Sequence, residues 1–340
     1  IGFRAGQTSQ GLSATSVGHE AGQNSQSNYA IALGHQSGQT SQGEATFAAG
    51  YQAGFITQSD YAIAVGFESG KTDQGESSVA IGDSAATVDQ GEKSIAVGRL
   101  AGQTNQGDHA VAIGTSAGRT TQGEKSITVG QFAGEINQAF NSIAIGVEAA
   151  KNDQLQYSIA IGNKAGKTSQ SQESVSIGAT AGEVTQGLRS IALGFRAGRT
   201  NQNENSIAIG SLSGATNQEE NTVAIGRESG ETAQQHSTVA IGLQAGNSNQ
   251  QDNSIAIGHQ SAQTTQGRQS VAIASKSGQT NQGEFAIAIG FESGQTSQGD
   301  NSIAIGYKAG KTSQTPNSVI INGGPFELNT TTTGTFINPI

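Results

Sequence analysis

Cysteine, methionine and tryptophan are all absent from the 340 residues of this chain. Without cysteine there is no disulfide framework, and the redox compartment cannot be read from thiol usage. Aromatic residues make up only 5% and apolar residues only 33%, a lean composition that would suit a disordered chain if nothing else ordered it. Positive charge is also short: the net charge is −9, which argues against nucleic acid or an anionic membrane as the main partner. No apolar run approaches the ~20 residues that a membrane-spanning helix needs. Position 1 is Ile and falls inside a repeat, so further chain, with any signal peptide or anchor, is expected to precede it.

What is present is a strict period. Glutamine recurs every sixteenth residue: Gln10, Gln26, Gln42, Gln58, Gln74, Gln90, Gln106, Gln122, Gln138, Gln154, Gln170, Gln186, Gln202, Gln218, Gln234, Gln250, Gln266, Gln282, Gln298 and Gln314. Glycine keeps the same beat from Gly2 to Gly306, broken only at Ala274. The consensus is S-[IV]-A-[IV]-G-x-x-[AS]-G-x-T-x-Q-G-x-x. A short unbroken period is the signature of stacked repeats rather than of an enzyme built around one pocket. The 49 glycines lack the every-third spacing of collagen.

Each repeat reads as two short strands and two turns. In the unit from Ser302 to Asn317, Ile303 and Ile305 alternate with Ser302 and Ala304, the period-2 pattern of a strand. Gly306 closes it, and a second extended piece is expected over 309–314. A β-branched pair and two glycines per repeat disfavour helix. The expected fold is all-β: a parallel β-roll or β-solenoid of about 20 coils with 16 residues per coil. At roughly 4.8 Å per coil this makes a rod about 95 Å long. The period breaks after 317, where Asn322 replaces the glycine and Ile320 the small residue, so 1–317 is read as the repeat shaft and 318–340 as a capping or linker segment.

The Ile/Val ladder is expected to face the inside of the roll, with Phe47 offset by Ala49 in one coil. The position between them is Ala except at Ser16, Thr128 and Ser176. Its small, uncharged character is read as contact with a second chain, with Ala208, Ala256 and Ala304 as the interchain residues. The glutamines are expected to be buried, bonding turn backbone and neighbouring coils as a structural ladder; the sharper alternative is a ligand groove. Glu44, Asp60, Glu76, Glu92 and Asp108, and Lys71, Arg119, Lys167 and Arg199, sit at variable positions and are read as solvated corners.

Motifs that suggest chemistry dissolve into the repeat. The segments 66–72 and 162–168 resemble a P-loop but have three residues between the glycines where four are needed, and no helix follows. Gly114-x-Ser116-x-Gly118 lacks the strand-to-helix elbow that the motif requires. The histidines His19, His35, His109, His236 and His259 form no regular column. No catalytic residue, metal site or cofactor is expected.

The strings NSIAIG at 205–210, 253–258 and 301–306 resemble the repeats of trimeric autotransporter adhesin heads. The likeness implies a left-handed parallel β-roll, three chains to a bundle, on an extracellular appendage. The sixteen-residue form with AGxTxQG is similar to tail-fibre shafts of phages and large DNA viruses. Residues 318–340 are similar to the segment that joins such shafts to an endosialidase-type intramolecular chaperone. The function implied is a homotrimeric structural shaft on a virion or cell surface, presenting a receptor-binding or chaperone end-domain, with itself as principal partner. Two alternatives stand beside it: an adhesin whose sides bind host or matrix molecules, and an ice-binding solenoid whose Thr ladder is interrupted at seven coils, including Ile56 and Val88.

Overall fold

The computed structural model describes residues 1–338. The chain divides into two units, Ile1–Glu173 and Ser174–Ile340, built on one plan. It is an all-β parallel solenoid of about 21 turns, with about 16 residues per turn. Among the described residues there is no helix.

Each full turn carries two three-residue strands. In unit two, Ile255–Ile257 pairs in parallel with Val271–Ile273, and Thr264–Gln266 with Thr280–Gln282. In unit one, Ile95–Val97 and Val111–Ile113 pair the same way. Identical repeat positions therefore face one another, Ala256 on Ala272 and Gln266 on Gln282, and each side chain stands in a column of its own repeat position. The second strand is shorter than the six-residue piece expected from sequence. Its middle residue has positive φ, 54° at Asn249 and 53° at Asn281, which ends the extended run after a single turn of pleat.

The interior is the reverse of the expected one. The alanine column lies inside: Ala208, Ala256 and Ala304 have no exposed surface, so the chain itself encloses them and they are not available for contact with a second chain. The Ile/Val pair points outward, with Ile257 36% and Ile289 37% exposed. The roll leaves little room inside this column. A Cβ built on Gly246 would lie 3.2 Å from the Ala240 Cβ and 2.7 Å from Gln250 Oε1; among the repeats the column admits Ala, Ser16, Ser176 and, as its largest member, the buried Thr128. Alternation fixes which residues share a face but not which face is inside.

The glycine columns follow from the same tightness. Gly242 has φ +130° and a Cβ there would come within 2.6 Å of the Gly258 carbonyl oxygen. Ala274 alone carries a side chain in this column, at φ +101°.

Beyond residue 317 the stacking continues. Ser318–Asn322 pairs with Ile303–Gly306, and Gly334–Asn338 pairs with Ser318–Asn322. The interior position changes from Ala304 to Ile320 to Phe336. Ile320 is fully buried, with Leu328 and Phe336 packed against it. The interval is still sixteen residues, but no second strand forms between Asn322 and Gly334.

Candidate functional site

Two features run the length of each unit: a buried amide column and an exposed apolar stripe. The amide column is built by the repeated glutamines. From Gln26 to Gln314 they are buried, whereas Gln10, in the first turn, is exposed. Their Nε2 groups reach across the interior. Gln250 donates to the Val239 carbonyl at 2.9 Å and to the Ser254 carbonyl at 3.2 Å; Gln266 repeats the pattern with Ile255 at 2.8 Å and Ser270 at 3.3 Å. The amide thus ties the second strand to the first, satisfying carbonyls that water cannot reach. Along the column the glutamines bond one another in runs, Gln218 to Gln234 at 3.2 Å and Gln234 to Gln250 at 3.1 Å.

The stripe is formed by the two outward positions of the first strand. Ile, Val or Leu fills most of both, with Thr15, Phe47 and Ala49 among the departures and no charged residue in either column. On each chain it is a flat ladder of half-exposed branched side chains repeated at every turn. A repeated exposed apolar surface of this kind is a candidate interaction site.

The charged positions are more ordered than solvated corners would be. Asp60, Asp108 and Asp300 accept the backbone N–H of Glu44, Glu92 and Glu284 in the turn below, at 2.7, 2.9 and 2.9 Å. Glutamate at the same site is too long for this bond, a distinction that composition alone does not reveal. Lys71 pairs with Glu68 at 2.9 Å and Arg119 with Glu135 at 3.4 Å. Lys167 pairs with Glu148 at 2.9 Å. The Lys167 hydrogen bond, with Lys151 and Lys164 nearby, holds the Glu148 carboxyl below its ordinary range despite partial desolvation. Glu20 is also held low, chiefly by the hydrogen bond from Gln36. At one corner of unit one, Phe3, His19, His35, Tyr51 and Phe67 stack continuously, with centroid separations of 5.3, 4.9, 5.1 and 5.0 Å.

The P-loop-like Lys71 is spent on its ion pair with Glu68. Ser116 of the GxSxG string is buried in a turn while His109 is exposed. Among the described residues, no group of three or more metal-ligating side chains is gathered. No helix of the described residues is long and apolar enough to cross a membrane.

The repeat geometry has a likeness among known protein families. Residues 74–101, 202–229 and 296–309 match the YadA head domain repeat. These stretches cover strand, glycine turn and glutamine, the parts that set the roll. Over these stretches the chain is similar to that repeat. The comparison with curated proteins found no match.

Proposed function

We propose that this chain is the shaft of a homotrimeric surface fibre, which holds a terminal domain away from the virion or cell that carries it. The observation that carries the reading is the uncharged Ile/Val stripe. Its side chains are half-exposed at every turn, and a surface repeating every sixteen residues is matched rung for rung only by another chain of the same spacing. The YadA head likeness supports the same assembly and an extracellular setting. The shaft works mechanically: three parallel chains present three copies of any end-domain, which raises avidity without a new contact. No chemistry at a pocket is part of this role.

The stripe and the interior can be tested apart. Changing Ile241, Ile257 and Ile273 together to Glu places three carboxylates on adjacent rungs of the stripe. Each buried half-side-chain of this kind contributes about 1 kcal/mol per chain, and the added charges must be desolvated as well. Sedimentation equilibrium should fall from three chains to one while the β-sheet circular dichroism persists. Ala256→Glu, by contrast, puts a charge inside the roll and should abolish folding itself. A wild-type chain that sediments as a monomer, or a triple variant that stays trimeric, overturns the proposal.

A further inference from the structure

A stripe that repeats every sixteen residues has a registration problem. Sliding one copy by a turn, about 4.8 Å, sets Ile and Val against Ile and Val again. The apolar contact alone therefore discriminates poorly between aligned and slipped bundles, as in any strand pairing with a uniform face. Register has to come from residues that do not repeat.

The edges of the stripe carry such residues. On the corner that precedes the first strand stand Tyr29, Tyr61 and Phe285, which are 58%, 53% and 44% exposed. Six residues on, at the opposite edge and on the same rung, stand His35, Phe67 and Phe291. A whole strand separates the members of each pair: Ile31–Leu33, Ile63–Val65 and Ile287–Ile289. No ring contact joins the members of a pair within the chain among the described residues. Phe67 stacks instead on Tyr51 and Phe291 on Tyr307, and Tyr29 and Tyr61 stack on no ring among the described residues of their own chain.

Rotational symmetry brings the edges together. When parallel copies surround a common axis, the leading edge of one stripe faces the trailing edge of the next. Because all copies share one rung spacing, residues level within a chain are level between chains. We infer that Tyr29 meets His35, Tyr61 meets Phe67 and Phe285 meets Phe291 of the adjacent copy, and that these ring contacts lock the axial register of the bundle. A copy one turn out of place in one direction would set Tyr61 against Asp83 instead of Phe67. The inference rests on the trimeric reading above and deepens it by naming the contacts that fix alignment.

The chain has no cysteine, so introduced thiols report cleanly. The full-length Tyr61→Cys, Phe67→Cys double variant, treated with a short bismaleimide, should run as a covalent trimer on a denaturing gel. The level-shifted double variant Tyr61→Cys, Thr115→Cys, three turns or about 14 Å out of level, should stay monomeric on the same gel. Phe285→Cys with Phe291→Cys gives an independent pair in unit two and decides the matter if the first variant loses its β-sheet signal. Crosslinking in the shifted variant and not in the level one overturns the inference, as does a protein that sediments as a trimer yet crosslinks in neither level pair. A wild-type chain that sediments as a monomer overturns the trimeric reading itself.

Discussion

Replacing Gln218 by Leu removes one amide from the interior and changes little in side-chain volume. Gln218 is fully buried. Its Nε2 donates to the Ile207 carbonyl at 2.9 Å and to Gln234 Oε1 at 3.2 Å. Leucine leaves both acceptors facing hydrocarbon. Each buried acceptor stripped of its donor costs about 1–3 kcal/mol, so the pair costs about 2–6 kcal/mol. The more apolar side chain returns on the order of 1–2 kcal/mol, leaving a net loss of about 1–4 kcal/mol. Solenoids couple mainly to neighbouring turns, so the loss should appear first locally. Native-state hydrogen exchange should show faster opening of the turns around 202–234, and the urea midpoint of the whole chain should fall. Gln10→Leu is the control. Gln10 is exposed, so its replacement should move the midpoint less. Unchanged exchange and an unchanged midpoint for Gln218→Leu would refute the structural role of the amide column.

Two further changes probe the backbone and the charged corner. Ala274→Gly should raise stability by about 1 kcal/mol, because Ala274 holds φ +101° where the other repeats through Gly306 use glycine; a lower melting temperature would contradict it. Glu148 is held below its ordinary carboxylate value by Lys167. A depressed folded value stabilises above the unfolded value and is lost as pH falls through the folded one. The advantage of the wild type over Glu148→Gln should thus be present near neutral pH, vanish in acid below the usual carboxylate range, and shrink with added salt because the pair is partly exposed. A difference that grows on acidification would contradict it.

Much of this molecule was legible in one chain. The sixteen-residue period, the strand at S-[IV]-A-[IV]-G, the glycine turns and the selective use of Gln over Glu all follow from local chemistry repeated many times. Each column stacks like on like, so a residue tolerated at every turn must tolerate its own image about 4.8 Å away. That condition excludes columns of buried carboxylate and admits columns of amide, methyl and glycine. The sequence also carried the loss of the beat at Ile320 and Asn322.

The direction in which each column points was settled only by the tertiary structure. The pattern Ile-Ala-Ile is identical whether the branched residues face in or out, and the usual preference for burying the larger residue suggested the wrong phase. What decides is the distance between the two walls, set by the glutamine amide that bridges them and by glycine packed against alanine. At that spacing the column holds Ala and Ser, with Thr128 as its largest member, and no Ile or Val among the repeats. The Ile/Val columns are therefore forced to the surface, and a pattern that looked like a core becomes the face on which copies of the chain can meet.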